Sequence, residues 1–191
     1  MNIRIISIIL FYLVFNISCT NKQTDIMKEE IVFHPIGVVH SQYSPDTGAP
    51  RQGILKPEEE ASIEIYEPFQ EALQTLDEFE YILVFFYFDQ VESWQSIVKP
   101  PGSTDEHEFG LFSTRSPKRP NPIGFSLVKL DRIEKGVLYI RGIDAFEGTP
   151  VLDIKPYLPS IDCVESSINW YVEKELGHHD EDFIDDPGFY R

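Results

Sequence analysis

The chain has 191 residues, 42% of them apolar and 13% aromatic, and carries a formal net charge of −16 at pH 7. That length suits a single domain, with or without a tail, and the apolar fraction suffices for a sizeable core. An acidic balance this strong excludes binding to nucleic acid through general positive charge, so any such role depends on a local basic patch.

The first segment, residues 1–26, resembles a lipoprotein signal. Arg4 precedes the apolar run Ile5–Phe15, and a small residue comes directly before Cys19. The run is short for a membrane-spanning helix, and an Asn stands three residues before the cysteine, where such signals usually have Leu, Val or Ile. A start of translation at Met27 is the alternative. The first interpretation predicts a membrane-anchored lipoprotein, and the second a cytoplasmic protein.

The next part of the chain predicts two strands, a loop and a short helix. Residues 32–43 are rich in β-branched side chains, which favours a strand. Turn residues predict a loop over residues 44–53, and alternating apolar positions predict a half-buried strand over residues 61–69. Residues 67–80 fit a short helix with its apolar side chains on one side.

The remaining pattern is dominated by strands. Residues 81–90 form a continuous apolar and aromatic run, which predicts a strand buried on both faces. Residues 124–136 and 137–148 predict a hairpin with its turn at Glu134–Gly136. A last strand is predicted over residues 151–162. Because strands do not alternate with helices, the predicted fold class is mainly β.

Several kinds of site are disfavoured by what the sequence lacks. Neither Cys19 nor Cys163 has a Cys or His nearby at metal-ligand spacing, so no metal site is predicted. Cys163 is expected to be a small buried residue. The chain has no G-x-G-x-x-G, G-x-x-x-x-G-K-[ST] or G-x-S-x-G pattern, which disfavours a Rossmann nucleotide site and a serine hydrolase.

The C-terminal extension, residues 161–191, is acidic. From Asp162 to Arg191 nine acidic residues stand against two basic ones. A segment of that composition is typical of a solvated surface.

The most basic stretch of the chain is RSPKRPNPIG, residues 115–124, which holds Arg115, Lys118, Arg119 and three prolines. Proline fixes the backbone φ angle and stiffens a loop. Arginine binds carboxylates and phosphates through paired hydrogen bonds, and a stiff loop loses little entropy when it binds. The stretch is therefore either a preformed anion site or a surface loop that balances the acidic body.

Three other stretches carry candidate chemistry. Residues 49–53 combine Pro, Arg and a side-chain amide between turn residues. Asp89 follows the long apolar strand, a position where loops commonly build sites. Residues 144–150 offer two carboxylates beside Gly and Thr, a pattern more typical of a turn than of a site. His34 and His40 flank the first strand without a recognisable partner.

In combination, these stretches resemble the TsaA-like family, also called TrmO-type tRNA N6-methyltransferases. The resemblance covers residues 33–160 in the family's order and is most specific in FSTRSPKRPNPIG and DAFEGTPVLDIKPY. It implies a compact single-domain antiparallel β-barrel over residues 31–160, without a Rossmann fold and with short helices. It also implies a homodimer that binds S-adenosylmethionine and methylates N6 of N6-threonylcarbamoyladenosine at position 37 of tRNA.

The resemblance further implies which residues form the site. The cofactor-binding positions it implies are Pro50, Arg51, Gln52, Asp89, Gln90, Arg115, Glu147, Gly148, Thr149 and Pro150. The substrate-binding positions it implies are Lys118, Arg119, Asn121, Lys155 and Tyr157. Since the attacking N6 nitrogen must lose a proton, Asp144 and Asp89 are the candidate catalytic residues.

Departures from the family pattern leave alternatives open. Many members have His at the position of Asp89, and Glu147 replaces the commoner Asp. Larger members carry an additional C-terminal domain, whereas here the acidic extension follows Asp162. The alternatives are an exported or lipid-anchored binding module without catalysis, and a methyltransferase for another acceptor.

Overall fold

Eight strands are present in the computed structural model, which describes residues 31–99 and 108–163. They are β1 Gly37–His40, β2 Glu60–Ile65, β3 Tyr81–Tyr87, β4 Ile97–Val98, β5 Phe109–Gly110, β6 Ile123–Glu134, β7 Val137–Arg141 and β8 Pro150–Pro156. Short 3₁₀ helices lie at Gly53–Leu55, Glu67–Leu73, Leu76–Glu78 and Leu111–Ser113, and the short helix α1 spans Pro159–Asp162.

Six of the strands close into a barrel in the order β1-β2-β7-β6-β3-β8, and all six pairings are antiparallel. β4 and β5 form a separate two-stranded sheet. The barrel lies in the compact unit that begins at Pro35. The expectation of a mainly β, antiparallel barrel without a Rossmann fold is confirmed.

The core fills the inside of the barrel with alternate side chains from each strand. The buried core residues are Val39, Ile63, Ile65, Ile82, Val84, Phe86, Val128, Leu130, Leu138, Ile140, Ile143, Ala145 and Val151. Full burial of one such side chain contributes about 1.5–3 kcal/mol. Gly124 admits the largest of them, because a Cβ at that position would overlap the ring of Phe86.

The predicted hairpin is present. β6 pairs with β7 through Glu134 and Val137, and the turn residues Lys135 and Gly136 have φ angles of 51° and 80°. Two consecutive residues at positive φ are what a tight two-residue hairpin requires.

Several local expectations are wrong, and the strands predicted over residues 61–69 and 137–148 end earlier, at Ile65 and Arg141. Residues 67–80 form two 3₁₀ helices because Thr75, at φ 65°, interrupts the helical backbone between them. β3 is buried on one face only, since a barrel strand points alternate side chains outward, and Tyr87 is 41% exposed. The last strand ends at Pro156, before the predicted boundary. Cys163 is exposed, because it follows helix α1 beyond the last barrel strand.

The signal-like segment and most of the acidic extension lie outside the described residues. Within residues 31–99 and 108–163, no helix has the length and apolar character needed to cross a membrane.

Candidate active site

Three connections meet at one end of the barrel, which we call the mouth. They join β1 to β2 (41–59), β3 to β6 (88–122) and β7 to β8 (142–149). The register places them together: Glu60 pairs with Arg141 and Tyr87 with Ile123, while Val38, near the end of β1, pairs with Pro150 at the start of β8. The three stretches singled out in the sequence, around Arg51, Arg115 and Asp144, therefore share one end of the fold.

Asp144 is the carboxylate at the mouth with which Ser126, Arg115 and Gly53 interact. Ser126, a buried residue of β6, donates a hydrogen bond from its hydroxyl to Asp144 Oδ1. Burial raises the pKa of Asp144 to about 6, and the Ser126 hydrogen bond opposes that rise. The charge of Arg115 and the backbone N–H of Gly53 also act to lower the pKa of Asp144. At pH 7 the group is an anion that accepts a proton more readily than an ordinary aspartate.

Gly53 reaches Asp144 because it has no side chain. A Cβ at Gly53 would overlap the carbonyl oxygen of Gly142, so only glycine lets the two connections touch there. Gly142 has a φ of 77° and donates its N–H to Glu59 O at 3.0 Å. The close approach brings the Gly53 N–H within hydrogen-bonding range of the Asp144 carboxylate.

Arg115 joins residues 115–122, which we call the basic loop, to the connection after β1. Its Nη1 donates to Gln52 Oε1, and its guanidinium carbon lies 5.0 Å from the centroid of the Phe125 ring. Gln52 in turn donates from Nε2 to the carbonyl of Arg51 at 2.6 Å. Cation–π contacts of this kind contribute about 0.5–1 kcal/mol at exposed sites. Arg115 is thus held on two sides while it remains exposed to solvent.

Arg119 braces the basic loop from within. Its Nη1 donates to the carbonyl of Thr114 at 2.9 Å and makes longer contacts with the carbonyls of Ser116, at 3.4 Å, and Leu111, at 3.5 Å. Pro117 and Pro122 of the loop are buried, as are Gly48, Ala49 and Pro50 in the connection after β1. Lys118 is half-buried and Asn121 is exposed.

The connection before β8 is fixed through Glu147. His40 Nδ1 lies 2.9 Å from Glu147 Oε1, and the backbone N–H of Ser41 donates to Glu147 Oε2 at 2.8 Å. The hydrogen bond to Glu147 raises the pKa of His40, and the same contact lowers the pKa of Glu147. Backbone bonds from Gly148 N to Val39 O, at 2.9 Å, and from Val39 N to Thr149 O, at 3.0 Å, complete the attachment.

The expected site residues fall into one group at the mouth and a second group elsewhere on the barrel. Arg51, Gln52, Arg115 and Asp144 are brought together at the mouth, and Glu147, Gly148, Thr149 and Pro150 line the strand β1 beside them. Asp89 and Gln90 are exposed and follow β3 at the same end, where Phe88 N donates to Pro122 O at 2.8 Å.

Lys155 and Tyr157 lie elsewhere. Lys155 Nζ contacts Asp153 Oδ2 at 2.6 Å and lies 6.0 Å from the Phe85 ring on the outside of the barrel. Tyr157 N donates to Tyr81 O at 3.0 Å, at the end of β3 opposite the mouth.

Sequence reasoning missed three residues of this region. Ser126 is one of several residues of β6 whose side chains point into the barrel, so no local sequence pattern distinguishes it as a site residue. His40 had no recognisable partner, because Glu147 lies 107 residues away. Gly53 had a detectable signal, since a glycine beside a stiff loop often marks a close approach of two backbones.

Comparisons with known proteins identify relatives of this chain. The family model described as the tRNA-methyltransferase O N-terminal domain matches residues 38–163. An S-adenosyl-L-methionine-binding protein of Archaeoglobus fulgidus is 40% identical over 70% of this chain and 94% of its own length. A rat tRNA (adenine(37)-N6)-methyltransferase is 34% identical over 84% of this chain but 37% of its own length.

Solved structures resemble the barrel as well. A crystal structure of TrmO matches with a TM-score of 0.63 at 37% identity, covering 74% of this chain and 64% of that one. A crystal structure of TrmO from Pseudomonas aeruginosa matches with a TM-score of 0.61 at 36% identity and is covered over 62% of its length. The chain therefore spans less than two thirds of these two structures, whereas it spans almost all of the archaeal relative.

Proposed function

This chain belongs to the tRNA-methyltransferase O N-terminal domain family, and on that premise we propose that it methylates N6 of N6-threonylcarbamoyladenosine at position 37 of tRNA. The methyl donor is S-adenosylmethionine, and the names of two archaeal relatives describe them as proteins that bind this compound. The observation that carries the proposal is the mouth itself, where the half-buried carboxylate of Asp144 lies close enough to Arg115 for their charges to interact.

The residues of the mouth fit such a cofactor chemically. S-adenosylmethionine supplies a positively charged sulfonium from which a methyl group passes to a nucleophile. Arg115, braced by Gln52 and Phe125, is suited to hold the carboxylate of the methionine part. The carboxylate of Asp144 favours a cation nearby through its charge, and its half-buried position strengthens that attraction.

Asp144 is also the better candidate to accept the proton that the N6 nitrogen loses. Methyl transfer by displacement depends chiefly on alignment, and a base adds to it where the nucleophile must be deprotonated. A group with a pKa of about 6 is ionised at neutral pH and still basic enough to take up a proton. Asp89 is exposed to solvent, so water competes with a substrate for its carboxylate.

We further propose that the chain forms a homodimer through the outside of β3 and β6. Phe85 and Phe125 pair directly across these strands with their ring centroids 6.2 Å apart. Phe125 is 43%, Tyr87 41% and Ile123 38% exposed on the same outer face. A contiguous apolar surface of this kind is typical of an interface.

Light scattering is expected to show a dimer that Tyr87→Lys dissociates, whereas a monomeric unmutated chain would contradict the proposal.

The compartment follows from the reaction. S-adenosylmethionine and tRNA occur in the cytoplasm, so we infer a cytoplasmic protein whose translation starts at Met27. The N-terminal mass of the native protein tests this directly. A mass that begins at residue 27 supports it, whereas diacylglycerol on Cys19 would place the protein at a membrane and argue against the enzyme.

Calorimetric titration of the full chain with S-adenosylmethionine tests the cofactor site. Arg115→Ala is expected to weaken binding at least ~10-fold, which corresponds to about 1.4 kcal/mol. Arg132→Ala is the matched control, because Arg132 also lies over an aromatic ring, 3.6 Å from the centroid of Tyr139, but beside the hairpin turn at the other end of β6. If the unmutated chain does not bind S-adenosylmethionine, the proposed function is wrong.

A further inference from the structure

The side chain of Phe112, just before the basic loop, is unusually exposed for an aromatic residue. It is 81% exposed, and no large apolar side chain among the described residues is more exposed. It lies on the 3₁₀ helix Leu111–Ser113, three residues before Arg115. Its neighbour Leu111 is buried, so the backbone that carries the exposed ring is anchored in the protein.

Hydrogen bonds hold this short helix on both sides. Leu111 N donates to Ser96 O at 2.9 Å, and the hydroxyl of Ser113 donates to Gly110 O at 2.7 Å. The hydroxyl of Thr114 donates to Leu111 O at 2.8 Å. A ring presented from a backbone that is already fixed loses little conformational entropy when it binds.

A cation lies next to the ring. The guanidinium carbon of Arg119 is 5.6 Å from the centroid of Phe112, within the range of a cation–π contact. Arg119 is itself bound to backbone carbonyls of the loop, of which Thr114 O at 2.9 Å is the nearest. The Phe112 ring and the Arg119 guanidinium therefore lie side by side on segments whose backbones are held by hydrogen bonds.

The surrounding stretch of chain is free of carboxylates. Residues 109–122 contain Arg115, Lys118 and Arg119 but no Asp or Glu, within a chain whose net charge is −16. An exposed aromatic ring on an anchored backbone, with cations in the same stretch, matches single-stranded nucleic acid, whose bases stack on aromatic side chains while its phosphates are neutralised by Lys and Arg.

We propose that Phe112 is a stacking platform for a base of the RNA acceptor, next to the base that enters the mouth. The inference rests on the proposed function and adds to it a residue that positions the substrate. Stacking on one aromatic side chain contributes about 1–3 kcal/mol per base. The ring acts on the acceptor alone, so its removal leaves the binding of S-adenosylmethionine unchanged.

The test measures binding of a fluorescent anticodon stem-loop RNA to the full chain by anisotropy, without S-adenosylmethionine. Phe112→Ala is expected to weaken RNA binding at least ~10-fold, and Phe112→Trp to restore it. Phe112→Leu is the decisive variant, because Leu keeps an apolar surface but offers no ring for a base. It is expected to bind RNA as weakly as the Ala variant. Phe69→Ala, which alters an exposed aromatic outside the basic stretch, is the matched control.

Parallel calorimetry with S-adenosylmethionine and light scattering separate this inference from the proposed function. RNA affinity that is unchanged in Phe112→Ala, or absent in the unmutated chain, overturns the inference while the cofactor result stands by itself. A Phe112→Leu variant that binds RNA normally overturns it too. Loss of the dimer or of S-adenosylmethionine binding in Phe112→Ala would assign the ring to a subunit contact or to the cofactor and likewise overturn it.

Discussion

The Ser126 hydroxyl donates a hydrogen bond to the Asp144 carboxylate, and this contact joins β6 to the connection before β8. Ser126 is buried and Asp144 is half-buried, so water has limited access to the contact between them. The hydroxyl lowers the pKa of Asp144 against the larger effect of burial, which raises it. Ser126 therefore adjusts the pH at which Asp144 becomes a carboxylate.

Replacing Ser126 by Ala is expected to raise the pKa of Asp144 above about 6, because the hydrogen bond favours the charged form. The acidic limb of the pH–rate profile should move to higher pH. The free energy of unfolding should fall by about 1–3 kcal/mol at pH 8, where the carboxylate loses a buried donor. Ser126→Thr keeps the hydroxyl and serves as the control. If the acidic limb does not move in Ser126→Ala, the group whose titration causes that limb is not in contact with Ser126.

Asp144→Asn is expected to lower kcat by about 10²–10⁴-fold if Asp144 accepts the proton from N6, since general bases contribute that much. In the unmutated chain kcat/KM should fall as the pH drops through about 6, because protonation removes the base. The variant should lose that limb. Asp89→Asn is the matched comparison and should retain it. An acidic limb that persists in Asp144→Asn would assign the base elsewhere.

The same raised pKa has a consequence for stability. The folded chain binds the Asp144 proton more tightly than the unfolded chain, whose pKa is near the ordinary value of 3.8. The contribution of Asp144 to stability therefore becomes more unfavourable as the pH rises from about 3.8 to about 6 and stays constant above that range. Chemical denaturation of Asp144→Asn at pH 4 and pH 8 should show a larger gain, or a smaller loss, of stability at pH 8. Equal differences at the two pH values would contradict the shift.

The His40–Glu147 pair is expected to stabilise the fold within a limited pH window. The pKa of His40 is raised, so its contribution is full below about 6.5 and is lost as the pH rises through the higher folded value. The pKa of Glu147 is lowered, so its contribution is full above about 4.5 and is lost as the pH falls through the lower folded value. The pair therefore stabilises most between about pH 4.5 and 6.5.

Glu147→Gln measures that window. It is expected to lower the free energy of unfolding at pH 5.5 by less than about 1 kcal/mol, since both side chains are substantially exposed, and by less at pH 9. His40→Gln should show a similar pH dependence, although it also removes the contact of His40 Nε2 with Glu64 Oε2 at 3.4 Å. The pH dependence of Glu147→Gln measured in a His40→Gln background isolates the pair. A loss that is equal at both pH values would assign the effect to the Ser41 N–H bond instead.

How far the sequence predicts this molecule depends on how local each feature is. The hairpin at Lys135 and Gly136 was predictable because its turn requires particular residues at adjacent positions. The burial of β3 was not, since a continuous apolar run does not distinguish a strand buried on both faces from a barrel strand with an apolar outer face. The break at Thr75 was missed because a helical apolar period can continue across an interrupted backbone.

The candidate site divides in the same way. The basic loop was recognisable from its prolines and arginines, whereas its contact with Gln52 depends on the strand order of the barrel, which the sequence analysis did not predict. The partners of His40 and Ser126 depend on contacts between segments 107 and 18 residues apart in the sequence. No pattern within one segment encodes such pairs, so only the folded barrel identifies them.

Gly53→Ala tests whether the contact between two connections at the mouth is needed for activity. The added Cβ would overlap the carbonyl oxygen of Gly142, so the backbone has to shift and the Gly53 N–H moves away from Asp144. We expect lower thermal stability and at least ~10-fold weaker methyl transfer. Gly110→Ala is the matched control, because Gly110 has a φ of −60° and a Cβ added there would meet no atom within 4 Å. The displaced N–H would leave the Asp144 carboxylate with one hydrogen-bond donor fewer. If Gly53→Ala nevertheless keeps full activity, as the control does, the approach of Gly53 to Asp144 contributes nothing to the reaction.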